Sequence, residues 1–195
     1  MPKLVDHAER RRELADATWR VVRRGGVEGA TVREVAAEAG CSPGSLRYYF
    51  PAQAELIGFA MEAVADRVRE RIASLEPLKD VRAAVQQLLE QVLPLDDERR
   101  TEMDVWLAFS MRAQADADLR EQRDETYADL RNLVRGCVDA LAEAGLMRKD
   151  LSRELETTRL HALVDGLALH GVTNPETMTP RRMRNVLRSH LASLA

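Results

Sequence analysis

The chain has 195 residues, 45% of them hydrophobic and 31% charged, with a formal net charge of -3. That composition is ordinary for a folded globular protein and excludes a disordered or fibrous chain. No run reaches the roughly 18 apolar residues of a membrane span, and the opening MPKLVDHAERRRE lacks the apolar stretch of a secretory signal, so a cytoplasmic protein without a membrane partner is expected.

The first predicted element is a helix over about residues 7 to 24. Leu14, Ala17, Thr18, Val21 and Val22 recur at helical spacing, Trp19 adds bulk, and Gly25-Gly26 ends the segment. Arg10, Arg11 and Arg12 form either an arm that reaches phosphate or a solvated, salt-bridged face. Residues 1 to 50 hold nine Lys/Arg against seven Asp/Glu, a small positive excess in a chain whose remainder is acidic. The sign suits an N-terminal part that approaches a polyanion.

The next stretch, TVREVAAEAG, carries a helix start and a helix stop. Thr31 is an N-cap and Glu34, three residues on, completes a capping box, so a helix begins at Val32. Gly40 ends it, because the positive φ of a tight turn is cheap for glycine. CSPGSLRYYF follows, with Ser42 as a second N-cap and Pro43 in the first helical position, where its missing N–H does no harm. Ala36, Gly40 and Leu46 supply a small crossing residue, a turn and an apolar residue that packs back. That is the spacing a helix-turn-helix requires, with Cys41 and Phe50 as further buried positions. Pro43, Gly44, Ser45, Arg47, Tyr48 and part of Tyr49 then project outward.

Duplex DNA is the partner that uses every one of these exposed groups. The second helix of such a motif enters the major groove by its N-terminal end. Gly44 and Ser45 are small enough to admit the groove wall, and the planar fork of Arg47 matches guanine O6 and N7. Thr31, Ser42, Tyr48 and Tyr49 are placed to donate to phosphates. Ser45 has no evident base or orienting group, so nucleophilic catalysis there is not expected.

Helical periodicity continues to the C-terminus. Successive stripes are Met103, Trp106, Leu107 and Ser110; Leu119 to Leu141 through Tyr127, Val134 and Cys137; Leu160 to Leu167; and Met183 to Leu194. Glu76-Pro77, Pro94, Gly145, Gly171 to Pro175 and Thr179-Pro180 separate them, giving an all-α chain of about nine helices without a repeat. Cys41 and Cys137 lie far apart with no CxxC or Cys/His cluster, so both are expected to be small buried groups rather than a disulfide or zinc site. His161 and Asp165, four apart on one helix, have the spacing of a metal pair or a general base but lack a third group. No metal and no cofactor is expected. The last two helices are apolar over more than one face. Either an internal core or a second copy covers them; pairing about a twofold axis would place Leu163, Leu167, His170, Val186, Leu187, His190 and Leu191 in a dimer interface.

Over Thr31 to Leu56, TVREVAAEAGCSPGSLRYYFPAQAEL, the chain resembles the TetR family of bacterial one-component regulators. LPLDDERRTEMDVWLAF and RLHALVDGLALHGVTNPETMTPRRMRNVLRSHL look like the C-terminal domain of its betaine-repressor branch. The resemblance implies a three-helix DNA-binding domain at 1–51, a ligand-binding and dimerisation bundle at 52–195, and a homodimer that represses from a palindromic operator until a small molecule releases it. Gln53 stands where members commonly carry a phosphate-binding Lys, which would lower the salt slope of binding by roughly one unit. Arg47 replaces the aromatic residue often found at its position. Trp106 and Tyr127 fall on two stripes that the family places around its pocket; with Met103, Phe109 and Met111 they would wall an apolar cavity. His161 adds a polar position there, and Asp104 or Asp165 would attract a cation over an aromatic face. Core filling explains the same aromatics and methionines. A helical-bundle enzyme, which lacks a third catalytic group and a phosphate loop, and a helical adaptor, which leaves Arg47, Tyr48 and Tyr49 without use, are the alternatives.

Overall fold

In the computed structural model, residues 7–51 and 53–195 are described; for His7, Ala8, Gln53, Ala54 and Asp118 only the backbone is. Among them nine α-helices follow in order: α1 His7–Gly29, α2 Val32–Glu38, α3 Pro43–Tyr49, α4 Gln53–Ala73, α5 Val81–Leu89, α6 Asp97–Arg112, α7 Ala117–Glu143, α8 Arg153–Thr173 and α9 Pro180–Ser193. One 3-10 turn, Glu90–Val92, follows α5, and the described residues form no strand.

The helix ends obey the local chemistry expected of them. Thr31, Ser42, Asp80, Ser152 and Thr179 each accept a backbone N–H from the first turn of their helix. The reciprocal half of the capping box at Thr31 is not made, because the Thr31 N–H donates to the Gly29 carbonyl at 2.8 Å. Gly40 (φ 63°) and Gly145 (φ 70°) each close a helix in the left-handed conformation. Around each of them two bonds take up orphan carbonyls: Cys41 N to Ala36 O with Gly40 N to Ala37 O, and Leu146 N to Leu141 O with Gly145 N to Ala142 O. The helical register of α1 breaks at Gly26 (φ 70°, ψ 175°), where the sequence places an end.

Two compact units account for the chain. The first comprises Met1–Arg67 with Asp104–Arg123, the second Val68–Met103 with Asp124–Ala195. Their division falls inside α4 at residue 67, beyond the boundary of 51 read from the sequence. The first half of α4 buries Leu56, Ile57, Phe59, Ala60, Met61 and Val64, so burial holds it in the first unit.

Within the first unit Leu14, Ala17, Val21, Val35, Ala36, Leu46 and Phe50 form the interior beneath α2 and α3. Phe50 and Phe59 meet with centroids 4.6 Å apart. Two reciprocal contacts join α1 to α4. Arg11 lies over the Phe59 ring at 5.4 Å with Glu62 at 3.8 Å, and Arg67 lies over the Trp19 ring at 4.7 Å with Asp16 at 3.4 Å. Gly58 is an enforced glycine: a Cβ there would come within 2.8 Å of Gln122 Oε1 and 3.0 Å of Leu119 Cδ2. Gln122 Nε2 donates to the Gly58 carbonyl at 2.9 Å.

The second unit is built on Val85, Leu89, Leu93, Val134, Val138, Leu141, Leu160, Val164, Met183 and Leu187. Cys137 lies among them, and burial pushes its thiol up to about 12. Cys41 is only half-buried, contrary to expectation, because it follows the Gly40 turn at the edge of the motif. In α6 the buried positions are Glu102, Val105 and Phe109, whereas Met103, Trp106, Leu107 and Ser110 are half-exposed. The buried face is therefore turned from the expected stripe. Glu102 explains it: Arg71 Nη1 and Nη2 donate to its two carboxylate oxygens at 2.9 and 2.7 Å, and Nη2 also donates to the Gln91 carbonyl at 2.9 Å. Above all the Glu102 hydrogen bond holds the Arg71 guanidinium above its usual range.

Candidate functional site

The helix-turn-helix of α2 and α3 is positioned by three short-range devices. Leu46 is fully buried and anchors α3, Gly40 sets the turn, and Glu38 ties the end of α2 to α1. Arg20 Nε donates to Glu38 Oε1 at 2.7 Å and Arg24 Nη1 to Oε2 at 3.0 Å, and these bonds hold the Glu38 carboxyl below its ordinary range. The tie lies four residues before Ser42, so it fixes where α3 begins.

The outer surface of that motif is unoccupied by the protein itself. Thr31, Ser42, Pro43, Gly44, Ser45, Arg47 and Tyr48 are exposed, and Tyr49 is half-buried with its ring against Tyr48 at 5.3 Å. Tyr48 shows 75% of its surface. Arg47 has no ion pair among the described residues, leaving its five donors available. A Cβ on Gly44 would meet only Ser42 Oγ, at an ordinary 3.8 Å, so nothing inside the chain requires a glycine there. Arg33, on the first turn of α2 beside Thr31, is likewise exposed without an ion pair and was not singled out in the sequence; a capping position draws attention away from its neighbour. Gln53's side chain lies outside the described residues. Of the N-terminal arginines, Arg10 is taken up by Glu13 at 2.6 Å and Arg11 by Glu62 and Phe59, so these two follow the salt-bridged reading.

The residues expected around a ligand divide between the units. Trp106, Phe109 and Met111 belong to the first: Trp106 and Phe109 stack with centroids 6.1 Å apart, Phe109 is fully buried and Met111 is exposed. Met103, Tyr127, His161 and Asp165 belong to the second. There the Tyr127 ring lies 4.8 Å from that of His161, and His161 Nε2 lies 3.6 Å from Asp165 Oδ2. His161 is 3% exposed, and its Nε2 has no hydrogen-bond partner among the described residues. Asp165 keeps 52% of its side chain exposed, and partial burial raises its carboxyl above the ordinary range while the charge of His161 opposes that rise. No group of three or more His, Cys, Asp or Glu among the described residues is arranged to hold a metal.

Three of the seven residues expected between subunits turn inward. Leu167, Leu187 and Leu191 belong to the core of the second unit, and a side chain already out of water gains nothing from a second copy. Leu163, Val186 and His190 are half-buried, and His170 is exposed. Leu155, Ala162 and Leu169, seven apart on α8, are exposed along one line of that helix, with Leu169 41% exposed. Sequence reasoning passed over them because the buried leucines of the same helix give the stronger periodic signal. Burial pushes the His190 imidazole below its usual range, and among the described residues its Nε2 also lacks a hydrogen-bond partner.

Comparison with known proteins gives two consecutive matches along the chain. Residues 14–60 match the family of bacterial regulatory proteins, tetR family, and residues 81–195 match the C-terminal family of BetI-type transcriptional repressors. The transcriptional regulator PksA of Bacillus subtilis (strain 168) is 39% identical over 197 residues, covering 100% of this chain and 94% of the relative. A solved transcriptional regulator from Rhodococcus is 31% identical with a TM-score of 0.79, covering 94% of this chain and 95% of that one. A Saccharomonospora viridis regulator solved in complex with choline shares the fold, with a TM-score of 0.78, 24% identity and coverage of 93% and 95%. These relatives carry the names of regulators, not enzymes, and no described helix is long and apolar enough to cross a membrane. The capped helix-turn-helix, the helical C-terminal part and the end-to-end similarity agree: the chain is a DNA-binding transcriptional regulator of the TetR family with a BetI-type C-terminal part.

Proposed function

We propose that the protein is a homodimeric repressor that grips a palindromic operator with two copies of the α2–α3 helix-turn-helix, its DNA reader, and lets go when a small molecule binds the C-terminal part. The observation that carries the DNA half is the exposed surface of α3, with Arg47 unpaired and Gly44 not required by the fold. Arg47 reads a guanine edge, while Thr31, Ser42, Tyr48 and Tyr49 hold phosphates. Arg33 joins them as a phosphate contact.

The effector is a cation held by Tyr127, His161 and Asp165. An aromatic face half in water beside a carboxylate suits a positive charge, and the regulator with bound choline shows a cation in a protein of this fold. Because α4 runs from Gln53 beside the reader to Ala73, a ligand that favours one position of α4 changes the separation of the two heads. It does so only through unequal affinity for the two states.

The test starts from operator fragments selected out of the source genome. Arg47→Ala is expected to cut discrimination against a changed guanine by about 1 to 3 kcal/mol, with binding to unrelated duplex nearly kept. Equal preference in both proteins, measured by anisotropy at fixed salt, would remove Arg47 from the base contact.

A further inference from the structure

The reading helix has little hold of its own. Of the seven residues of α3 only Leu46 is buried, and among the described residues α3 leans chiefly on α2. The pose of α2 is therefore the pose of α3. The chain itself does not fix that pose, because the connection from α1 runs through Gly25, Gly26 and Gly29, at each of which an added Cβ would meet nothing within 4 Å. Packing fixes it only in part. Ala17, Val21, Val35 and Ala36 are buried on two helices that pack together, and such short side chains raise shallow ridges that interlock weakly. One polar tie supplies what is missing. Glu38, the last residue of α2, receives Arg20 Nε on one carboxylate oxygen at 2.7 Å and Arg24 Nη1 on the other at 3.0 Å. The two donors stand one turn apart on α1, just before its register breaks at Gly26. Two charge-assisted bonds from one helix to one carboxylate define a direction as well as a distance.

We propose that Glu38 is a positioning residue for operator recognition, setting the angle at which α2 crosses α1 and so the depth to which α3 enters the groove. The inference rests on α3 as the reading helix and deepens that reading. Glu38 acts through Arg20 and Arg24, whose side chains keep 53% and 63% of their surface in water. Pairs that exposed add little to stability, so their worth here is geometric. The tie also occupies two cations on the DNA-binding unit. Released from Glu38, either guanidinium is free to join a phosphate of any sequence. Loss of the tie therefore weakens the correct site and favours incorrect ones.

The experiment is fluorescence anisotropy on the full chain at several salt concentrations, comparing the operator fragment selected from the source genome with an unrelated duplex of equal length. Glu38→Ala removes both acceptors and keeps a good helix former. It is expected to bind the operator about tenfold more weakly, the size of one mismatched base pair, and the unrelated duplex as well as the parent does or better. Arg20→Gln combined with Arg24→Gln cuts the tie from the other side and should lower the ratio of the two affinities by a similar factor. Adding Glu38→Ala to that pair should lower the ratio no further. An unchanged ratio in both variants overturns the inference. So does a loss of both duplexes in step with a loss of helix by circular dichroism, which makes the tie a prop of the fold. Additive losses overturn it as well, since the arginines would then contact phosphate in their own right. A parent chain with no preference for the selected fragment would strike the reading of α3 itself.

Discussion

Glu102 shows how one side chain redirects an element. It lies on the buried side of α6, held by both arms of Arg71, and hydrophobic periodicity cannot see a carboxylate as a core residue. The expected stripe through Met103 and Trp106 missed the face for that reason, whereas Leu46 and Phe50, which are apolar, were placed correctly. Replacing Glu102 with Leu should cost about 3 kcal/mol in urea denaturation, the low end for a broken buried pair, because Arg71 keeps 24% of its side chain exposed. A loss below half a kilocalorie would mean that Arg71 finds other partners. Asp165 works in the opposite direction. Its carboxyl is raised in the folded chain, so the folded state binds the proton more tightly. That stability is complete below the free value of 3.8 and lost as pH rises through the folded value. Asp165→Asn should therefore raise the melting temperature at pH 7, with the gain fading as the medium is acidified below about 4. An equal gain at every pH would refute the burial argument. A stability sacrificed at this position is what a binding group imposes on a fold.

At the scale of elements, α2 and α3 were legible almost to the residue because their boundaries are written in backbone chemistry: Thr31, Gly40, Ser42 and Pro43 each answer to a local dihedral or an orphan N–H. The faces of α8 were harder to assign. Leu160, Leu163, Val164 and Leu167 gave the expected stripe, but which leucines a single chain hides depends on α5, α7 and α9, which are remote in sequence. The cluster on α7 and α8 was legible only as candidates, since no local rule brings Tyr127 to a ring 34 positions later. Within α3, Gly44→Ala separates stability from recognition. Alanine favours helix over glycine by up to about 1 kcal/mol and meets no clash here, so thermal stability should hold or rise. Operator affinity should fall, since the added methyl stands where the groove wall approaches. Unchanged affinity would show that α3 does not enter the groove at this residue.

For the whole molecule, association of subunits follows from the outward face of α8. The outward line of Leu155, Ala162 and Leu169 on α8 is apolar and in water in the single chain. Sedimentation should give twice 21.9 kDa, and Leu169→Glu should shift that mass toward the monomer while leaving the helical content intact. A dimer of undiminished strength would move the interface off this helix. The paired arginine contacts between α1 and α4 bear on how a regulator of this kind switches. Phe59 and Arg67 are eight residues apart on α4, as are Arg11 and Trp19 on α1, so the two lashings sit about 12 Å apart along the helices. A single lashing would act as a swivel. Two lashings, with one cation supplied from each side, resist pivoting, so a push on the early turns of α4 is passed to α1 at two points rather than one.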